Sequence, residues 1–231
     1  KPVLAVDADP NTNLGEALGV KVDVTLGKTV EEFQGERMQV PPGMSKEALL
    51  EMRFASVIDE RTGFDLLSMG RGEGPGCYCS VNNTLRMLVE KLMGSYAAVV
   101  IDNEAGLEHL SRRTTRNVDA LMVVSDFAVR GVRAAMGINE LVDELEMEIP
   151  NRFFVVSRAP ADEAKRDEEL PKILNAAGGV SLDVGAVIPT DDALIRADME
   201  MGSLLDIDGE SPAVKAAMGL LDKMLEKTGA C

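Results

Sequence analysis

The chain is short of basic residues. Across 231 residues, 24 lysines and arginines face 39 aspartates and glutamates, a formal charge of −15 with the histidine neutral. Duplex nucleic acid and anionic membrane surfaces both attract positive patches, so neither is expected as a main partner. No apolar run approaches the roughly 18 residues of a membrane-spanning helix, and no stretch reads as a basic, apolar signal peptide. His109 is the one histidine, and no Ser/His/Asp or Cys/His set can be built around it. Cysteine is scarce as well. Cys77, Cys79 and Cys231 are an odd number, two of them separated by a single residue, which is no disulfide framework. Such usage fits a reducing, cytoplasmic setting.

What is present is enough apolar material, 45% of residues, for a real core. Apolar runs predict strands at Val3–Val6, Phe64–Met69, Tyr96–Ile101, Ala120–Val124, Phe153–Val156 and Val184–Ile188, with a weaker one at Leu204–Ile207. Between them, Val81–Met93, Val129–Leu145 and Pro212–Leu225 carry apolar residues at helical period, and Leu107–Asn117 is a polar helix candidate. Alternation of this kind predicts an α/β fold, a mostly parallel sheet with helices on both faces. The region Lys21–Glu60, broken by Pro41-Pro42-Gly43 and with a helical piece near Ser45–Met52, reads as an excursion facing a partner. The sequence opens at Lys1, one residue before a buried strand, so residues 1–231 are expected to form one N-terminally incomplete domain.

Four stretches carry candidate chemistry. In Val3-Leu4-Ala5-Val6-Asp7-Ala8-Asp9-Pro10-Asn11, a buried strand runs into two carboxylates, Pro10 stops it, and Asn11 is placed to cap a helix over Thr12–Leu18. The carboxyl ends of strands are where open α/β sheets bind ligands, although a solvated turn accounts for the same residues. In Ala97-Ala98-Val99-Val100-Ile101-Asp102-Asn103-Glu104-Ala105-Gly106 a second apolar strand ends in an aspartate, the position that holds Mg²⁺, usually through water, in nucleotide hydrolases. Gly70-Arg71-Gly72-Glu73-Gly74-Pro75-Gly76-Cys77-Tyr78-Cys79 is a loop with no Gly-Lys-Ser/Thr after it. Two thiolates leave a tetrahedral ion half-ligated, and a twofold partner would supply the other two; two buried cysteines at a helix start remain the plain alternative. Pro189-Thr190-Asp191-Asp192 ends a strand and caps a helix, as any strand-to-helix turn does. The charges of Ala161–Glu169 read as a solvated helix face, and the thirteen methionines as core filler.

Together these residues resemble the deviant-Walker P-loop ATPases, the family of MinD, ParA and the nitrogenase iron protein. Val6-Asp7-Ala8-Asp9-Pro10-Asn11, Asp102-Asn103-Glu104-Ala105-Gly106-Leu107-Glu108-His109 and Gly74-Pro75-Gly76-Cys77-Tyr78-Cys79 are similar to its CooC branch, accessory ATPases of nickel insertion into carbon monoxide dehydrogenase with relatives serving acetyl-CoA synthase. The resemblance runs from Val3 to the last helix, and the double-cysteine loop is its most specific part. It implies a P-loop NTPase-like fold, ATP or ADP with Mg²⁺, and a homodimer. It implies that Asp9 orients the attacking water. It places Asp7 and Asp102 around Mg²⁺ and the γ-phosphate switch, and Asn11 in the first switch. Pro189 and Asp191 match the loop around the adenine. Arg158 follows a strand whose end also reaches the base, with Ser157 where relatives carry asparagine. Cys77 and Cys79 match a pair that binds Ni²⁺ or Zn²⁺ across the dimer.

The family's Gly-rich phosphate loop lies before the strand at Val3, within a β-loop-α unit of roughly 30 residues that this sequence does not contain. As written, the chain is therefore expected to be unable to hydrolyse ATP, and the abrupt start favours a fragment. The expectation is an ATP-dependent metallochaperone whose client is carbon monoxide dehydrogenase or acetyl-CoA synthase. Its rivals are a MinD- or ParA-type positioning ATPase, a non-hydrolysing metal-binding module, and an iron–sulfur reductase, for which the cysteine spacing is wrong.

Overall fold

A computed structural model describes residues 2–35, 43–71, 79–106 and 118–229. The chain divides into two compact units, Lys1–Ala105 and Gly106–Cys231, each built on its own sheet.

The first unit runs β1 (Val3–Ala8), α1 (Asn13–Ala17), α2 (Leu26–Gly35), α3 (Lys46–Ala55), β2 (Ile58–Glu60), β3 (Phe64–Ser68), α4 (Cys79–Leu92) and β4 (Ala98–Asn103). Its sheet has the order β2-β3-β1-β4, with β1 parallel to β3 and β4, and β2 antiparallel at the edge. A central parallel strand is covered on both faces, which is why β1 reads as an unbroken apolar run. On one face Leu4, Val6 and Ala8 join Leu67 and Met69 under Leu26 and Val30 of α2 and Val81, Leu85 and Val89 of α4. The spacing of four along α4 keeps those three side chains on one stripe. The other face of β1 carries α1. A Cβ on Gly15 would lie 2.4 Å from Val22 Cγ2, so glycine is what lets α1 settle there. Tyr96 Oη donates to Asp65 Oδ2 at 2.7 Å, and burial together with that bond pushes the phenol up to about 12.

Two expectations are corrected in this unit. Asn11 does not cap the first helix. The cap position is Thr12, in a left-handed conformation with no side-chain bond, and the Leu14 amide donates instead to Asp7 Oδ2 at 3.0 Å. A carboxylate buried beneath the helix start outcompetes the nearer asparagine. The excursion Lys21–Glu60 is also less peripheral than expected. Its helix near Ser45–Met52 is present as α3, but α2 belongs to the core, and β2 extends the sheet.

The second unit runs β5 (Ala120–Asp126), α5 (Val129–Glu144), β6 (Asn151–Ala159), α6 (Glu163–Ala176), β7 (Asp183–Pro189), α7 (Asp192–Met199) and α8 (Pro212–Thr228). All three strands are parallel in the order β5-β6-β7. Phe154 and Val156 of β6 face Val132 and Ala135 of α5 and Leu170, Ile173 and Leu174 of α6, while Phe153 and Val155 face Leu220 of α8. A Cβ on Gly185 would lie 2.7 Å from Leu220 Cδ1, so this glycine brings α8 close to the sheet. The weak strand expected at Leu204–Ile207 is a 3-10 turn, Leu204–Asp206, whose first amides are drawn to Ser203 rather than to another strand. Among the described residues no helix is long and apolar enough to cross a membrane.

Candidate functional site

Register decides which side chains meet. Asp7 of β1 lies opposite Asp102 of β4 and Ser68 of β3. Neighbours in register on parallel strands project to the same face. Asp7, Asp102 and Ser68 thus share a face at the carboxyl ends of three adjacent strands, where open α/β sheets place ligands. Asp7 is fully buried. Its Oδ1 accepts from the Asp9 amide at 3.1 Å and its Oδ2 from the Leu14 amide at 3.0 Å. Asp9 Oδ1 in turn accepts from the Asn11 amide at 2.8 Å, which closes the turn after β1.

The electrostatics of this corner are those of a site short of positive charge. Burial pushes the Asp7 carboxyl above its usual range; its two amide bonds pull the other way, and the charges of Asp102 and Asp9 raise it further. Asp102 stands more open to solvent, yet partial desolvation and then the charge of Asp9 raise it too. Ser68 Oγ is buried without a hydrogen-bond partner beside them. Hard oxygen donors with raised carboxyls suit a divalent cation that keeps most of its own water. Among the described residues no three His, Cys, Asp or Glu side chains are arranged to enclose a metal by themselves.

Two features here were not singled out from the sequence. Arg71 Nη2 donates to Asn11 Oδ1, so the loop after β3 reaches the turn after β1; the only sequence signal was a cation in a glycine-rich stretch of an acidic chain. Gly27-Lys28-Thr29, at the start of α2, spells the end of a phosphate loop. Its amides are already used: Gly27 donates to the Met69 carbonyl at 2.8 Å, Lys28 to Thr25 Oγ1 at 3.4 Å and Thr29 to the Thr25 carbonyl at 3.1 Å. No amide of that triplet is left to cradle an anion.

Arg158, Pro189 and Asp191 lie in the second unit. Arg158 is exposed at the end of β6, where the ladder to β7 shifts register, and holds a φ of 54°. A non-glycine residue in that region is strained, and such strain gathers at functional positions. Ser157 Oγ donates to the Ser125 carbonyl at 3.0 Å. Pro189 ends β7, and Thr190 closes the turn with two bonds to the Ala159 carbonyl, 2.7 Å from its amide and 3.0 Å from its hydroxyl. Asp191 accepts from Ser211 Oγ at 2.6 Å, Ala193 N at 2.8 Å and Ala213 N at 3.2 Å. It joins the starts of α7 and α8, and the Ser211 hydroxyl, then the two amides, hold its carboxyl below the usual range. A carboxyl with a lowered folded pKa stabilises above its unfolded value, and that contribution is lost as pH falls through the folded one. Asp191→Ala is therefore expected to lower the melting temperature at neutral pH and to flatten its fall below about pH 4, measured by thermal unfolding across acid pH.

Cys77 lies outside the described residues, as do His109 and the helix expected at Leu107–Asn117; the Cys79 backbone opens α4.

The parallel strands with helices between them are those of the P-loop NTPase-like fold. Solved structures of MinD share this fold: that from Aquifex aeolicus at 18% identity and a TM-score of 0.65, covering 98% of this chain and 84% of that one, and that from Pyrococcus horikoshii with Mg-ADP at 20% and 0.67, covering 96% and 82%. At these identities they show the fold alone. No family model matches the chain. It is 39% identical over 227 residues to the uncharacterized ATP-binding protein MJ0685 of Methanocaldococcus jannaschii, covering 97% of this chain and 87% of that protein. It is 28% identical over 239 residues to the carbon monoxide dehydrogenase accessory protein CooC of Rhodospirillum rubrum, covering 98% and 86%. The chain belongs to the family of the ATP-binding protein MJ0685.

Proposed function

We propose that this is a nucleotide-dependent metallochaperone of the cytoplasm, binding ATP or ADP with Mg²⁺ and passing Ni²⁺ or Zn²⁺ to carbon monoxide dehydrogenase or acetyl-CoA synthase. The observation that carries the nucleotide half is Asp7 in register with Asp102, with Asp9 on the turn beside them. Asp7 and Asp102 would hold the waters of Mg²⁺, Asp9 would orient a water at the phosphate, and Asn11 would follow the state of that phosphate. Within the second unit, Arg158, Pro189 and Asp191 are the residues we assign to contact with a base, on the resemblance alone. Mg²⁺ supplies charge neutralisation at the phosphates. The metal half rests on Cys77 and Cys79, on a homodimer that brings four sulfurs together, and on the similarity to CooC.

The test of the metal half is titration of wild type and of the Cys77→Ala/Cys79→Ala variant with Ni²⁺ and Zn²⁺, read by calorimetry and by mass under native conditions. One ion per dimer in wild type and none in the variant is expected; equal binding by both removes the proposed site. The nucleotide half is tested at Asp102. Asp102→Asn is expected to lose about tenfold or more of the Mg²⁺-dependent part of ADP affinity. It should also gain a little stability at neutral pH, since one of three crowded charges is gone. The sign follows from the raised carboxyl: between its unfolded and folded pKa the native state holds the extra proton, so wild type gains stability as pH is lowered toward 3.8. That gain should shrink in the variant.

A further inference from the structure

The end of α7 and the turn after it hold an apolar cluster outside the protein. Met199, Met201 and Leu205 are 78%, 72% and 60% exposed, and Ile195 and Leu204 are exposed to a lesser degree. Three local devices keep them there. Ile195 and Met199 are four apart on α7 and so form one stripe. Met201 adopts a φ of 54° at the helix exit, a place that glycine ordinarily takes, while Gly202 closes the helix one residue later by donating to the Ala197 carbonyl at 2.8 Å. Ser203 then fixes the short turn of Leu204–Asp206, its hydroxyl accepting from the Leu205 amide at 3.2 Å. Apolar patterning does not mark this surface, since methionine reads as core filler.

The charges along this segment are mostly negative. Residues 192–210 contain Asp192, Asp198, Glu200, Asp206, Asp208 and Glu210 against the single cation Arg196, and of these acids Glu210 is paired with Lys215. We propose that this surface docks a partner protein through a basic amphipathic helix. Flexible thioethers adapt to the apolar face of such a helix, and acids on the rim select lysines and arginines along its flanks. A second copy of this chain would set the same acids against one another, and an anionic lipid surface would be repelled by them.

The probe is a synthetic, fluorescently labelled helical peptide of roughly 18 residues built from leucine and lysine, with a leucine–glutamate peptide of the same pattern as its counterpart. Binding is followed by anisotropy and by ¹³C-methyl spectra of the methionines. The lysine peptide is expected to bind with a micromolar Kd that weakens with salt, shifting the Met199 and Met201 methyls, and the glutamate peptide to bind far more weakly. The Met199→Gln/Met201→Gln/Leu205→Gln variant, with an unchanged circular dichroism spectrum, is expected to lose about tenfold or more in affinity. Met218→Gln, which alters an exposed methionine on α8, should bind as wild type does. Equal binding of both peptides, equal loss in the two variants, no binding of the lysine peptide, or a self-association that the triple variant abolishes would each overturn the proposal.

Discussion

Gly70→Ala is expected to cost about 3 kcal/mol or more of stability. Gly70 lies two residues after β3 with a φ of +63°, which an L side chain adopts at a cost of about 1–2 kcal/mol. The larger part is steric. A Cβ there would lie 2.4 Å from Thr25 Cβ, 2.5 Å from its Oγ1 and 2.7 Å from its Cγ2. Thr25 is buried and has no freedom to turn aside. Its Oγ1 accepts from the Lys28 amide, and its carbonyl accepts from the amide and the hydroxyl of Thr29. Relief requires moving the start of α2 away from Met69, whose carbonyl holds the Gly27 amide. Gly63→Ala is the control. Its φ is +92°, and nothing lies within 4 Å of its added Cβ, so it bears only the backbone cost. Urea unfolding of the two variants separates the terms, and equal losses would show that the contact with Thr25 is not what Gly70 is for. Because Arg71 follows Gly70 directly and reaches Asn11, the same substitution should also loosen the turn beside Asp7 and Asp9.

What the sequence made legible follows from burial. β1 reads as a strand because a covered parallel strand is apolar at nearly every position, and Val99-Val100-Ile101 ending in Asp102 reads as one by its β-branched run, although β4 lies at the sheet edge with Val100 half-exposed. The meeting of Asp7 with Asp102 came with that pattern. α2 and β2 were not legible. The contribution of α2 to the core includes Leu26 and Val30, set among Lys28, Thr29, Glu31 and Glu32, and β2 is three residues long and takes its stability from pairing with β3. Long-range bonds were hidden for a simpler reason. Asp7 caps a helix start seven residues away, Asp191 binds Ser211 twenty residues away, and Arg71 reaches Asn11 across sixty. Local capping rules favour the nearest side chain and mark none of these. Leu204–Ile207 erred in the opposite direction, since composition alone cannot tell an apolar run that pairs from one that stays outside.

Asp7 offers the second large effect, and two substitutions there divide its roles. Asp7→Ala strips two backbone donors, the amides of Asp9 and Leu14, of their acceptor at a fully buried position. Bonds to a charged acceptor contribute about 1.5–3 kcal/mol each. The same deletion removes a carboxylate that burial and two neighbouring charges disfavour, so the net loss should be about 2–3 kcal/mol. Asp7→Asn keeps the shape and one acceptor and drops the charge, and its loss should be nearer 1 kcal/mol. The pH profile adds an independent check. With its folded pKa raised, Asp7 makes wild type more stable as pH falls from neutral toward the ordinary value of 3.8; below that value the lowered carboxyl of Asp191 acts in the opposite sense. Asp7→Asn should lack part of the upper slope and keep the lower one. Under the proposed function, Mg-ADP raises the melting temperature of wild type and does so far less for Asp7→Asn, although the two fold alike. Equal shifts in both proteins would mean that the carboxylates of β1 and β4 serve the fold and not a nucleotide.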